Sequence, residues 1–263
     1  MSPVLETLFG LHGKIAVITG GAGGIGREIA RALAQAGAHA VIADIDTDNA
    51  ESLASALRDE GLGASATRVD LNDEAQIAAM FERVRAQIGS VDILVNNAGS
   101  YPKYDFFRIT REQWDAVHHL NLRASFVCMQ HAIGQMLEAG HGGRVINISS
   151  VASQHPATIS NMHYAAAKAG VDALTRGAAL EFSGRGITVN SVLPGPIAVA
   201  TAVAPTPTHS APVTGPAADR QRWLAGRSGT PMEVAAAVLF FAGAGGAYTS
   251  GQALAVDGGF LVS

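Results

Sequence analysis

The chain has 263 residues, 48% of them hydrophobic and 15% charged, with a net charge of −4. That balance supports a sizeable buried core and excludes an intrinsically disordered chain; without a basic run, it also argues against nucleic acid or an anionic membrane as partner. The one cysteine, Cys128, excludes an internal disulfide and a Cys-based zinc site and fits a reducing cytoplasm.

Residues 1–13 lack a basic n-region and an unbroken apolar run, so no secretion signal is expected. Residues 14–19 (Lys-Ile-Ala-Val-Ile-Thr) read as a short strand that ends in glycines. The turn Thr19-Gly20-Gly21-Ala22-Gly23-Gly24-Ile25-Gly26 joins it to a helix over 25–36, which Gly37 stops. Gly21, Gly23 and Gly26 meet the G-x-G-x-x-G spacing, and Gly20, Gly24 and Gly26 form a second frame. Between a strand and a helix, such glycines let the backbone approach a pyrophosphate that faces the N–H groups of the helix start. The second strand, 40–44, ends at Asp44. A carboxylate there accepts hydrogen bonds from ribose hydroxyls and repels a 2′-phosphate. Ile45 and Asp46 follow, with no Arg or Lys, so NAD is expected over NADP.

A helix over 48–61, a strand over 66–70, a helix over 74–88 and a strand over 91–96 come next. One long helical pattern lies within 112–140, followed by a strand over 143–149. Tyr164-Ala165-Ala166-Ala167-Lys168 opens a further helix. Residues four apart share a helix face, so the phenol and the ammonium meet, and a fixed cation favours the phenolate. That would make Tyr164 a usable general base or acid. Strands over 187–192 and 253–257 bracket a buried apolar helix near 234–247, too short to span a bilayer. Residues 198–218 are built from Ala, Pro, Thr and Val; this stretch, with the turn running on to about 222, is expected to be a mobile substrate lid. Its low charge leans towards an apolar or aromatic alcohol as substrate.

These strands are continuous apolar runs alternating with helices and unbroken by any Gly/Ser linker. The pattern gives one α/β domain, a Rossmann-type doubly wound sheet of seven parallel strands with helices on both faces.

In this order the segments resemble the short-chain dehydrogenase/reductase family, over about residues 14–260. The resemblance is carried by the Thr19–Gly26 turn, Asn96-Asn97-Ala98-Gly99, Ser150, Tyr164-x-x-x-Lys168, Pro194-Gly195, residues 226–231 and residues 251–259. It implies that Ser150 holds the substrate oxygen, that Tyr164 exchanges the proton with it, and that Lys168 lowers the Tyr164 pKa and binds the nicotinamide ribose. Asn121 matches a helix asparagine that supports a water chain to the lysine. Gly20, Gly24, Ile25, Gly26, Asp44, Ile45, Asn97, Ala98, Gly99, Pro194, Gly195 and Ile197 are implied cofactor contacts, with Asp70 and Leu71 at the adenine edge. The interval from Ser150 to Tyr164 is one residue longer than usual, which leaves Ser149 as an alternative. Val199 stands where the family carries a threonine, and Thr201 is the candidate to replace it. The implied reaction interconverts a secondary alcohol and a ketone, in a homotetramer paired through the fourth and fifth crossover helices and the C-terminal strand.

Two other functions fit less well. A 3-oxoacyl thioester ketoreductase would draw on NADP and want a basic patch, for which only Arg220 and Arg222 are candidates. A non-catalytic nucleotide-binding protein would not need the Ser/Tyr/Lys set. Tyr101 and His163 are candidate substrate contacts. No histidine has second-ligand spacing, so no metal is expected.

Overall fold

A computed structural model describes residues 2–199 and 214–263. A short helix, α1 (Pro3–Phe9), precedes the first strand. The alternation then runs β1 (Ile15–Thr19), α2 (Gly24–Gln35), β2 (His39–Asp44), α3 (Thr47–Asp59), β3 (Ala64–Arg68), α4 (Glu74–Gln87) and β4 (Ile93–Asn96). It continues with α5 (Arg111–His118), α6 (Ala124–Ala139), β5 (Gly143–Ile148), α7 (Met162–Phe182), β6 (Ile187–Pro194), α8 (Pro231–Ala242) and β7 (Ala253–Val256).

All seven strands pair in parallel in the order β3-β2-β1-β4-β5-β6-β7. The chain moves outward from β1 to β3, then returns to β4 and moves the other way. The crevice beyond the ends of β1 and β4 is therefore the switch point, where ligands bind in such sheets. Alternate strand residues feed two cores. Ile18 and Ile42 pack with Ile29 and Leu33 of α2, Leu53 of α3 and Phe241 of α8. Val17, Val41 and Leu94 pack on the other face with Met80 and Phe81 of α4 and Ile133 of α6. Fully burying each such side chain contributes about 1.5–3 kcal/mol, so both faces stabilise the platform that carries the site.

Capping sets the helix starts. Asp46 and Asp73 accept from backbone N–H groups at the starts of α3 and α4, and capping boxes open α5 (Thr110 with Gln113) and α8 (Thr230 with Glu233).

Several element bounds differ from the sequence reading: the helix expected near 234–247 is Pro231–Ala242 and the strand expected over 91–96 is Ile93–Asn96. α1 was not expected; Ser2 caps it, and it packs against the end of α8. The third strand begins at Ala64 and ends at Arg68, because its register against β2 pairs Ala40 with Ala64 and Asp44 with Arg68. The long helix expected within 112–140 is interrupted by a π-helical turn, His119–Arg123. Apolar periodicity cannot register such a turn, which inserts one residue and often marks a functional position.

Candidate active site

A cavity of about 920 Å³ opens at the C-terminal ends of the central strands. One end is walled by Gly20, Gly23, Gly24, Ile25, Asp44 and Ile45. Gly20 and Gly24 have φ of 62° and 53°, conformations that glycine alone adopts without strain. A Cβ on Gly23 would meet nothing within 4 Å, so the backbone of the turn faces open space. Gly26 is not on the wall: a Cβ there would collide with the Gly20 carbonyl and the Asn97 amide, so it is the glycine that lets α2 close on the turn. Asn97 braces that turn by donating from Nδ2 to the Thr19 and Gly20 carbonyls, at 3.0 and 2.8 Å. The Asp44 carboxylate accepts from the Ala22 and Asp46 N–H groups, at 2.9 and 3.0 Å, which fixes its charge at the cavity edge.

Ala98, Gly99, Pro194, Gly195 and Ile197 also line the cavity, as does Val199. Thr201 lies outside the described residues. Asp70 and Leu71 do not line it. Because β3 ends at Arg68, Asp70 falls in a turn, where its carboxylate accepts from the Asn72 backbone and side chain, and Leu71 is buried in the core.

At the other end α7 presents Tyr164 and Lys168 to the cavity. The Lys168 Nζ lies 5.7 Å from the centroid of the Tyr164 ring and donates to the Ile148 carbonyl at 2.8 Å. Lys168 is 4% exposed, and burial pushes its ammonium down to about 8, opposed by the charge of Asp172. The phenol moves against the sequence expectation. Burial pushes Tyr164 up to about 12, and the Ser150 hydrogen bond works in the opposite direction. The residues of the chain therefore do not by themselves lower the phenol pKa: loss of water around the oxygen outweighs the Ser150 hydrogen bond.

The two serines separate cleanly. Ser150 engages the Tyr164 hydroxyl, and its Oγ accepts from the Ala152 N–H at 3.1 Å. Ser149 instead donates to the Lys168 carbonyl at 3.2 Å, which ties β5 to α7. Asn121 is fully buried in the π-helical turn; its side chain donates to the Ser100 and Val117 carbonyls and accepts from the Ser100 N–H. Its Oδ1 is what a Cβ at Gly99 would strike, at 2.6 Å, with the Lys168 Nζ 3.5 Å away.

Tyr101 lines the cavity with its ring 6.1 Å from that of Tyr164. His163 does not. It is buried, packs on Tyr104 and donates from Nε2 to the Pro102 carbonyl at 2.9 Å. It secures the Pro102–Tyr104 loop to α7. Arg220 and Arg222 lie over the rings of Trp223 and Phe260.

Sequence reasoning missed Asn161, Trp223, Thr158, Ala157 and Phe260 in the wall. It also missed Asp172, four residues beyond Lys168, whose carboxylate accepts from Ser153 and Ser191 at 2.6 and 3.0 Å. The i, i+4 spacing that paired Tyr164 with Lys168 would have found it. Among the described residues no group of His, Cys, Asp and Glu could hold a metal, and no helix is long and apolar enough to cross a membrane.

Comparison with known proteins agrees with this fold. Residues 20–261 match a family model described as enoyl-(acyl carrier protein) reductase. The cis-4-hydroxycyclohexanecarboxylate dehydrogenase of Sinomonas cyclohexanicum is 40% identical over 253 residues, covering 94% of this chain and 96% of the relative. The 3-oxoacyl-[acyl-carrier-protein] reductase of Thermotoga maritima is 36% identical, over 96% and 99% of the two chains. A crystal structure of a gluconate 5-dehydrogenase from Burkholderia cenocepacia J2315, in complex with NADP and tartrate, superposes with a TM-score of 0.87 at 35% identity, over 98% of this chain and 99% of that one. The chain belongs to the short-chain dehydrogenase/reductase family of oxidoreductases.

Proposed function

We propose that this protein is an NAD-dependent dehydrogenase that interconverts a secondary alcohol and its ketone. The observation that carries the reading is one continuous cavity with a glycine-walled nucleotide end and Ser150, Tyr164 and Lys168 at the other. The wall fits a dinucleotide. Its glycine turn offers bare backbone, Asp44 stands fixed where a ribose would lie, and Asn97, Ala98, Gly99, Pro194, Gly195 and Ile197 line the path between the two ends. When bound, the nicotinamide supplies the hydride acceptor or donor. NAD is favoured because Asp44 carries a fixed negative charge and Lys168, at the far end, is the only cation among the described lining residues.

The side chains divide the proton chemistry. Ser150 donates to the substrate oxygen and steadies charge that develops there. Tyr164 moves the proton: it protonates the nascent alkoxide in ketone reduction and takes the hydroxyl proton in oxidation. Burial keeps the phenol protonated at neutral pH. Lys168 sets its ammonium beside the ring, and Asn121, against Gly99, holds the backbone at Ser100 and Val117.

The expected lid, residues 198–222, includes 200–213, which lie outside the described residues. The described return of that segment already pairs with the cavity rim, through Ile159 N–H to Thr214 and Ala217 N–H to Ala157. Assembly as a homotetramer is supported by apolar side chains exposed on the fourth and fifth crossover helices, Trp114, Phe126 and Leu180. Sedimentation showing only monomer would reject it.

The reading is tested by following NADH formation across a panel of secondary alcohols, and NADH consumption with the matching ketones. It requires turnover of at least one pair in both directions, faster with NAD than with NADP. Cofactor binding with no turnover would point to a non-catalytic nucleotide-binding protein instead.

A further inference from the structure

Ser150 stands on the turn after β5, whereas Tyr164 and Lys168 stand on α7. The three side chains can serve one substrate oxygen only if that turn is held against the helix. Two residues of α7 one helical turn apart, Lys168 and Asp172, hold it on both sides of Ser150. Before the serine, the Lys168 Nζ donates to the Ile148 carbonyl at 2.8 Å, and the Ser149 hydroxyl donates to the Lys168 carbonyl at 3.2 Å. After it, the Ser153 hydroxyl lies 2.6 Å from Asp172 Oδ2 and 2.7 Å from the Ser150 carbonyl oxygen. Asp172 is 5% exposed, and its other oxygen accepts from Ser191 of β6 at 3.0 Å.

The Ser153 hydroxyl has one proton for two acceptors. A separation of 2.6 Å is that of a charge-assisted O–H···O⁻ bond, so the carboxylate fixes where the hydroxyl points. The oxygen so placed touches the carbonyl of Ser150 itself, which also accepts from the Ser153 N–H at 3.0 Å. Within the same turn the Ser150 Oγ accepts from the Ala152 N–H at 3.1 Å, which leaves its own proton for the Tyr164 hydroxyl or a substrate oxygen. Moving the turn therefore moves the donor. Neither Ser153 nor Asp172 is among the described lining residues, so any effect on the reaction passes through a residue that is. We infer that Asp172 and Ser153 are positioning residues for the proton chemistry: they clamp the turn of Ser150 to α7, so that one helix sets the serine, the phenol and the ammonium together. This rests on the dehydrogenase reading of the same site.

The test is a double-mutant cycle on the rate of hydride transfer, measured for the best alcohol of the panel in wild type, Ser153→Ala, Ser150→Ala and the double variant. Single turnovers with enzyme in excess over NAD keep the slow variants measurable. Ser153→Ala removes only the hydroxyl and leaves the Asp172 charge in place. It should slow hydride transfer about 10-fold, within what a misplacement of about 1 Å costs, while NAD affinity by titration stays within a few-fold. In the Ser150→Ala background the same substitution should change the rate by less than about 2-fold, because the group it positions is gone. A merely structural hydroxyl would slow both backgrounds equally, or neither, and either result would overturn the inference. Ser191→Ala frees the other oxygen of Asp172 and carries the same cycle should Ser153→Ala fold poorly. Its loss of rate should again be confined to enzyme that has the Ser150 hydroxyl; no loss, or one that persists without that hydroxyl, would overturn the inference. These outcomes leave the dehydrogenase reading standing, whereas a wild type that turns over no alcohol of the panel would overturn that reading and this inference with it.

Discussion

Lys168 sits one helical turn beyond Tyr164 with its ammonium over the phenol ring, 5.7 Å from the ring centre, and its hydrogen bond goes to the Ile148 carbonyl. The pair is thus a cation beside an aromatic hydroxyl, both largely removed from water, and this decides how the site responds to pH.

The buried ammonium should be visible in stability. Lysine's ordinary 10.5 falls to about 8 in the folded chain. Between those values the unfolded chain holds a proton that the folded chain has lost, so stability rises with pH across that window. The whole window is worth roughly 3 kcal/mol. Urea unfolding of the cofactor-free protein from pH 7 to 10 should show this rise in wild type relative to Lys168→Met. Parallel pH profiles for the two proteins would show that the lysine is not strained by burial.

Asp172 acts on the same group, and its charge raises the Lys168 pKa. Asp172→Asn should move the wild-type rise in stability to lower pH and, by weakening the bonds from Ser153 and Ser191, cost about 1–3 kcal/mol. A stability profile displaced to higher pH would contradict this assignment.

Cofactor choice should depend on Asp44. Asp44→Asn keeps an oxygen for the Ala22 or Asp46 N–H but removes the charge. Like-charge contact costs several kcal/mol, so the NAD-to-NADP ratio of kcat/KM should fall by at least about 10-fold. An unchanged ratio would place discrimination elsewhere.

How far the sequence carried depended on the range of each interaction. The glycine turn and the Tyr164–Lys168 pair are local: strand, turn and helix, or one helical turn, fix their geometry once the elements form. Continuous apolar strands between helices specified the doubly wound sheet for the same reason. Asn161 and Trp223 could not be read this way, because they come from separate loops that only the fold brings to one wall. The third strand ends at Arg68, two residues before the composition suggested, because register with β2 sets its end. The phenol pKa was misjudged because spacing reveals the neighbouring charge but not the loss of water.

The central claim is that Tyr164 moves the proton in hydride exchange, and the direct measurement is alcohol-dependent NADH formation by Tyr164→Phe beside wild type, with NAD affinity measured separately by titration. The substitution removes one oxygen and keeps the ring against Tyr101. Turnover should drop by about 10²- to 10⁴-fold while NAD affinity stays within a few-fold. Equal turnover by the two proteins would contradict the account.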